Sequence, residues 1–211
     1  MQLHGWLWLT DEPAVSNTRP EWRRCRFAVG ILVRLAGLLC CLMGMSGASG
    51  ADSSSAKEYQ IKAAFVYNFL KFVEYPAGRF EKTNSPVVIG VVGNSTMTAA
   101  LEMTVKHRKL NGRDILVKTV ETLEGTKESH ILFFPASEDK LADVFLAPAA
   151  AADVLTVGES AAFAEKNGMI NFVLEGDKVR FEINMDAVGL SQLKVSAQLQ
   201  KLAKAVRRKS N

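Results

Sequence analysis

The stretch GMINFVLEGDKVRFEIN, residues 168–184, decides how the carboxyl-terminal part of this chain folds. Two runs rich in Val, Ile and Phe, residues 169–174 and 179–183, flank a four-residue turn, Glu175-Gly176-Asp177-Lys178. β-Branched and aromatic residues favour strands, and glycine readily adopts the positive φ that a tight turn requires. The stretch therefore predicts a β-hairpin.

Upstream of the hairpin, helix and strand patterns alternate along the chain. Short runs of Val and Ile, such as residues 86–92, are typical of strands that are buried on both faces of a sheet. Alternation of this kind predicts one α/β domain, with a mixed sheet of about five or six strands flanked by helices. We predict strands at residues 86–92, 115–120, 130–134 and 154–157, and helices at residues 56–74, 96–107, 138–145, 160–166 and 186–208.

The first of these helices has an unusually broad apolar arc. Its apolar residues form two neighbouring stripes rather than one, at Ile61, Phe65, Phe69 and Phe72 and at Val66, Leu70 and Val73. A helix that is apolar over so wide an arc is either deeply buried or covered by a partner.

The amino-terminal segment has the pattern of an export signal. Arginines at positions 23, 24, 26 and 34 precede an uncharged apolar run of 11 residues, 35–45, which small residues follow. This order indicates a secretory signal peptide, because a bilayer-spanning helix takes about 20 apolar residues. We predict cleavage near Gly50 or Ala51. Residues 1–51 are then the signal peptide, with a translation start assigned too far upstream, and residues 52–211 are the mature, exported domain.

The composition of residues 52–211 excludes several classes of protein. They contain 21 basic and 19 acidic residues, so no excess of positive charge indicates a nucleic-acid partner. All three cysteines of the chain lie in the first 41 residues, so the stability of the exported domain must come from its core rather than from disulfides.

Motifs for catalysis or metal binding are scarce. His107 and His130 have no Cys or carboxylate neighbours at metal-ligand spacing, which favours structural roles for both. Ser137 resembles part of a helix cap, and the sequence contains no Gly-x-Ser-x-Gly motif. We therefore predict no catalytic residues, no metal and no cofactor.

Two polar groups of residues leave alternatives open. Asn94, Ser95 and Thr96 begin a predicted helix, where they either cap it or receive an anion. On the predicted strand at residues 179–184, Arg180 and Glu182 lie on one side with Asn184, whereas the apolar side chains lie on the other. That polar row is either a solvent-facing and capping row or a polar floor for a ligand or partner.

Several separated motifs carry a family resemblance. The chain resembles the YfiR-like family over essentially the whole exported domain. The motifs that carry the resemblance are residues 63–76 (AAFVYNFLKFVEYP), the tripeptide Gly168-Met169-Ile170, residues 179–184, and residues 190–203 within the last predicted helix. The resemblance implies a small exported domain with a Rossmann-like α/β fold, often dimeric. Studied members of the family repress an inner-membrane diguanylate cyclase from the periplasm and thereby restrain cyclic-di-GMP output.

The chain departs from the family pattern at two points. Tyr75 stands where members often have Trp, and the exported domain lacks the family's disulfide-forming cysteines, one of which lies near Ser129. Because of the second departure, redox control of the repressor type is not expected for the exported domain.

We therefore expect a non-enzymatic periplasmic regulator that forms a homodimer. It would bind and repress the periplasmic domain of an inner-membrane signalling protein, a diguanylate cyclase or a sensor kinase. We expect exposed apolar residues near the hairpin to contact this partner, and the predicted partner-binding residues are Met169, Ile170, Phe172, Arg180 and Glu182. The alternative is a small-molecule or anion-binding module that feeds a membrane sensor, with Asn94, Ser95 and Thr96 as its ligand site.

Overall fold

The computed structural model describes residues 50–80, 82, 84–93, 95–163 and 165–208. These residues belong to one compact unit of the chain, Ser49–Asn211. Apart from Gly50 and Ala51, the predicted signal peptide lies outside the described residues, so its cleavage stays a prediction. No helix in the described part of the chain is both long enough and apolar enough to cross a membrane.

The described elements alternate between helix and strand. The helices are α1 Gly50–Phe72, α2 Thr96–Val105, α3 Leu123–Glu128, α4 Asp139–Ala151, α5 Met185–Val188 and α6 Ala197–Leu202, with 3-10 turns at Ala77–Arg79 and Ala136–Glu138. The strands are β1 Val73–Glu74, β2 Val87–Val92, β3 Lys109–Leu110, β4 Arg113–Val120, β5 Ile131–Phe134, β6 Leu155–Gly158, β7 Ile170–Glu175, β8 Lys178–Asn184, β9 Lys194–Val195 and β10 Ala205–Arg207.

Eight strands form one mixed sheet in the order β10-β8-β7-β6-β5-β2-β4-β3. The five strands from β7 to β4 in this order are mutually parallel, whereas β8 pairs antiparallel with β7 and β3 pairs antiparallel with β4. The edge strand β10 pairs parallel with β8. β1 and β9 form a separate antiparallel pair. The predicted α/β class is thus confirmed. The strand number exceeds the prediction because the edge strands β3 and β10, of two and three residues, are too short to leave a sequence pattern.

The hairpin that the sequence predicts is present. β7 and β8 pair antiparallel in a register that places Glu175 opposite Lys178, across a two-residue turn. Gly176 has a φ of +58°, the left-handed conformation that such a turn requires.

The two faces of the sheet build two separate apolar cores. Along β5, Ile131 and Phe133 join the core formed with α1 and α2, whereas Leu132 and Phe134 join the core formed with α4. Successive side chains of a strand point to opposite faces, so a strand covered by helices on both sides is buried throughout. All six residues of β2 are buried in this way. The apolar arc of α1 is largely buried in the first core, which supports burial over the second interpretation, cover by a partner.

The prediction of one long helix over residues 186–208 is wrong. The chain forms α5, β9, α6 and β10 there instead. Long-range backbone hydrogen bonds explain the difference, because the Ser196 amide donates to the Phe72 carbonyl at 2.9 Å and the Lys204 amide donates to the Phe181 carbonyl at 2.8 Å. Residues 161–163 and 165–167 likewise form turns and not the predicted helix.

Candidate functional site

The carboxyl ends of the parallel strands and the hairpin turn lie at the same end of the sheet, because β7 is parallel to β6. The amino-terminal half of α1 is attached to this end by a charged cluster. The Lys62 ammonium lies 2.6 Å from Oε2 of Glu159 and 2.5 Å from Oε1 of Glu58. Oε1 of Glu159 accepts hydrogen bonds from the Tyr59 hydroxyl at 3.0 Å and from the Ala136 amide at 3.1 Å.

The central ion pair of this charged cluster is almost fully removed from water, whereas Glu58 is 30% exposed. The Lys62 and Glu159 side chains are 6% and 5% exposed. Burial, followed by the negative charge of Glu159, raises the pKa of Tyr59 to about 12, so its hydroxyl stays a proton donor at neutral pH. A buried ion pair needs partners for its remaining lone pairs, and Tyr59 and Ala136 supply them for Glu159.

A groove adjoins the charged cluster, between α1 and the hairpin turn. We call it the hairpin groove, and it comprises two cavities of about 480 and 260 Å³ that share Glu58 and Leu174. Ile61 and Leu174 line it with side chains that are 37% and 57% exposed. Exposed apolar side chains that are surrounded by polar residues are a feature of protein-binding surfaces. Its lining residues are Ser54, Ser55, Lys57, Glu58, Tyr59, Ile61, Lys62, Ala136, Glu159, Phe172, Val173, Leu174, Gly176, Asp177 and Val179.

Three of the predicted partner-binding residues are buried, although one of them, Phe172, lines the hairpin groove from below. Met169, Ile170 and Phe172 are all buried in the core under α1, so the expectation that they are exposed is wrong. The reason is that β7 is an interior strand whose inner face packs on α1. The Phe172 ring lies 5.8 Å from the Phe69 ring, centroid to centroid, in a stacked arrangement. Any contribution of these residues to partner binding stays a prediction, and it would act through the shape of the surface above them.

Arg180 and Glu182 lie on the opposite face of the hairpin, where both carry ion pairs. Nε of Arg180 lies 3.6 Å from a Glu175 carboxylate oxygen, and the Glu182 carboxylate accepts a hydrogen bond from Arg207 at 2.6 Å. The Asn184 side chain accepts hydrogen bonds from the first amides of α5 and therefore caps that helix. The polar row thus includes a cap and two surface ion pairs, and its role toward a partner stays a prediction.

The predicted anion site falls at the start of α2. The Ser95 hydroxyl oxygen accepts a hydrogen bond from the Met97 amide at 3.2 Å, as the capping interpretation predicts. Asn94 lies outside the described residues, and Thr96 is the exposed first residue of the helix. The Glu138 carboxylate approaches this loop closely, since its Oε1 lies 2.9 Å from the position that a Cβ on Gly93 would occupy. A negative charge there opposes the binding of an anion at Asn94, Ser95 and Thr96.

A second polar cluster, which the sequence did not reveal as a site, lies at the other end of the sheet around His130. The imidazole is buried, and its Nδ1 accepts a hydrogen bond from the Val88 amide at 3.1 Å. The Phe80 ring stacks on it at 4.7 Å, and the Tyr75 hydroxyl donates to the His130 carbonyl at 3.1 Å. One terminal nitrogen of Arg79 donates to the Lys127 and Ser129 carbonyls. Residues 75–80 therefore cover His130.

The electrostatics of this cluster follow from burial beside cations. Burial first, and then the charges of Arg79 and Arg113, lower the pKa of His130 to about 4, so the imidazole is neutral at pH 7. Burial also raises the pKa of Tyr75 and lowers that of Arg79. Within the described ranges, no three His, Cys, Asp or Glu side chains are grouped closely enough to hold a metal ion. The second histidine, His107, is exposed just after α2.

Comparisons with known proteins identify the family. A family profile described as YfiR/HmsC-like matches residues 59–204, and this family is regulatory and non-catalytic. One similar solved structure is that of a conserved domain protein from Vibrio cholerae O1 biovar El Tor strain N16961, with 10% sequence identity and a TM-score of 0.49. That match covers 71% of this chain and 60% of the Vibrio chain. No curated protein matches the chain.

Proposed function

The chain belongs to the YfiR/HmsC-like family, and from this premise we propose that it is a non-enzymatic regulator in the periplasm. It binds the periplasmic domain of an inner-membrane signalling protein and holds that protein inactive. The partner that family resemblance favours is a diguanylate cyclase, so the output of the regulator is a lower level of cyclic di-GMP. We further propose that the regulator is a homodimer. The observation that carries this proposal is the profile match over residues 59–204.

The hairpin groove is the surface that best suits contact with the partner. It presents the exposed apolar side chains of Ile61 and Leu174 beside a rigid base, since the charged cluster of Lys62 and Glu159 fixes α1 to the sheet there. Interfaces generally combine an apolar centre with a polar rim, and Lys57 and Asp177 supply charges at the rim of this groove. The proposed occupant is an apolar segment of the periplasmic domain of the cyclase.

Affinity capture tests this proposal directly. The protein exported by its own cell, tagged at the carboxyl terminus, is used to capture partners from a solubilised inner-membrane extract. We expect wild-type protein to recover one membrane cyclase or kinase, and Leu174→Glu to lose it, because a charge placed in an apolar interface is costly to bury. Met103→Glu is the matched control, since Met103 is 71% exposed on α2 and does not line the groove.

The cellular readout is the level of cyclic di-GMP. We expect deletion of the gene to raise it, wild type and Met103→Glu to restore it, and Leu174→Glu to leave it high. Recovery of no membrane protein by a well-folded wild-type bait would contradict the regulator function. Equal recovery by Leu174→Glu and wild type would remove the hairpin groove from the interface while leaving the regulator function standing.

The ion pairs of Arg180 and Glu182 give a second, independent test of the interface. Arg180→Ala removes an exposed side chain whose pair with Glu175 spans 3.6 Å, so stability should change little. Lost capture with an unchanged melting temperature would assign Arg180 to the interface, and unchanged capture would remove it.

A further inference from the structure

A cavity of about 340 Å³ lies at the amino-terminal ends of β2 and β5, beside the His130 cluster. Val88 and His130 line it from the sheet, Arg79 lines it from the covering segment, and Glu124, Lys127 and Glu128 line it from α3. Its volume is sufficient for a small molecule or for several waters. The hairpin groove lies at the opposite end of the sheet, so the two are separate features.

Two buried nitrogen atoms of this cluster have no hydrogen-bond partner in the described part of the chain. They are Nε2 of His130 and Nε of Arg79. Nδ1 of His130 accepts the Val88 amide hydrogen, so a neutral imidazole carries its proton on Nε2. Both unpaired atoms are therefore donors. A buried donor without an acceptor is unfavourable, and such groups are rare in folded proteins.

One of the two unpaired donors belongs to a guanidinium, which favours an acceptor that is negative. Arg79 and Lys127 line the cavity, and Arg113 lies 4.2 Å above the Phe80 ring that stacks on His130. The lining also holds two acids, Glu124 and Glu128, of which Glu128 is paired with Lys118 at 3.2 Å, and Asp153 is a third acid that acts on Arg79. The cluster therefore carries no excess of positive charge, and it is the guanidinium donor of Arg79 that favours an anion over a neutral acceptor.

We propose that this cavity binds a small oxyanion, which accepts hydrogen bonds from Nε2 of His130 and Nε of Arg79. A carboxylate, a phosphate and a sulfate share this chemistry, because each presents several acceptor oxygens to a guanidinium and an imidazole. Both nitrogens are shielded from solvent in the structure. Binding therefore involves a local shift of the segment that carries Arg79 and Phe80. This inference goes beyond the proposed function and does not depend on it.

The position of the cavity connects the proposed ligand site to α1 through covalent and hydrogen-bonded neighbours. The hydroxyl of Tyr75, the residue directly after β1, donates to the His130 carbonyl, and β1 follows α1 directly. Lys62 lies in the middle of α1, and the residues of the helix before it border the hairpin groove. A shift of residues 75–80 on binding would therefore act on the same helix that borders the groove.

Nuclear magnetic resonance of the imidazole groups tests the proposal. The folded full chain is titrated at pH 7 with phosphate, sulfate and acetate in turn, with sodium chloride as the control for ionic strength. We expect a saturable shift of the His130 resonances, whereas those of the exposed His107 follow only the salt. The anion that saturates at the lowest concentration identifies whether a carboxylate or an inorganic oxyanion is preferred.

A pair of variants then assigns the donors. Arg79→Gln removes a charge-assisted hydrogen bond, so we expect affinity for the preferred anion to fall by about tenfold. Arg208→Gln removes the same charge at the exposed carboxyl-terminal end and should leave affinity unchanged. Absence of a saturable His130 shift with all three anions would overturn the proposal. So would equal affinity of Arg79→Gln, shown to be folded by its circular dichroism, and wild type.

Discussion

The Lys62 ammonium and the Glu159 carboxylate meet at 2.6 Å although 97 positions separate them in the sequence. Their contact joins the middle of α1 to the loop after β6, inside a region that water scarcely reaches. Because this pair and its hydrogen bonds attach α1 to the sheet, it also shapes one wall of the hairpin groove. The stability of the domain and the form of the proposed interface thus depend on the same side chains.

Loss of Lys62 should destabilise the domain strongly. Lys62→Met leaves Glu58 and Glu159 side by side without their cation, and removal of one partner of a buried pair costs about 3–5 kcal/mol. We expect a decrease of about 3 kcal/mol or more in the free energy of unfolding, measured by urea denaturation. Lys109→Met is the control, because its pair with Asp114 is exposed and should contribute less than about 1 kcal/mol. Similar losses in both variants would contradict the importance of the buried pair.

The stability of the domain should depend on pH through His130. The pKa of His130 is about 4 in the folded state, whereas an ordinary histidine, as in the unfolded chain, has a pKa of 6.5. Between pH 4 and pH 6.5 the unfolded chain therefore binds more protons than the folded chain. The contribution of His130 to the free energy of unfolding is therefore fully present above pH 6.5 and declines as the pH falls toward 4. The loss from this group over that window is about 3 kcal/mol.

Urea denaturation at pH 7, 5 and 4 measures this dependence, and a variant isolates it. In His130→Asn the side-chain oxygen can take the place of Nδ1 as acceptor for the Val88 amide, but the side chain does not titrate. We expect the variant to be less stable at pH 7 and to lose the part of the pH dependence between 6.5 and 4. An identical pH dependence in variant and wild type would assign it to other groups.

Gly90 should tolerate no larger side chain. A Cβ at this position would lie 2.5 Å from the Ser129 hydroxyl, 2.8 Å from a Val120 methyl and 2.9 Å from a Leu132 methyl. Overpacking of this kind costs about 1–3 kcal/mol, so Gly90→Ala should lower the melting temperature by several degrees. Gly78→Ala is the matched control, since nothing lies within 4 Å of a Cβ there. Equal melting temperatures for the two variants would contradict the close packing of Gly90.

Phe172→Ala should act on folding. The ring is buried against Phe65 and Phe69, and removal of a buried phenyl ring costs about 3–5 kcal/mol. Leu174→Ala, two residues along the same strand, truncates an exposed side chain and should cost less than about 0.5 kcal/mol. Differential scanning calorimetry compares them. If Phe172→Ala loses capture and also melts at a lower temperature, the loss reflects unfolding and not the interface. An unchanged melting temperature for Phe172→Ala would contradict the burial of the ring described above.

The hairpin and the double burial of β2 could be predicted because their signals are local. Gly176 and the apolar residues around it specify turn and strands within 17 residues, and residues 86–92 are apolar enough to show that both faces of the strand are covered. The same local reasoning failed for residues 186–208, where helical spacing suggested one helix. There the amides of Ser196 and Lys204 pair with carbonyls far away in the chain, and no local pattern records them.

The candidate sites show the same division. The sequence singled out His130 as structural but not Arg79, because their proximity results from a turn that returns residues 75–80 across the start of β5. The sequence analysis predicted that Met169, Ile170 and Phe172 are exposed. That prediction was wrong because an apolar strand has the same residue pattern whether or not a helix packs on it.

The sequence by itself determined the α/β class, the hairpin and the family of this protein, because periodicity, turn residues and short motifs act over a few neighbouring positions. Only the tertiary structure decided which apolar residues face water, that Lys62 contacts Glu159, and that unpaired donors lie beside a cavity. These properties arise from contacts between distant segments, and their energies depend on burial, which exists only once the chain has folded.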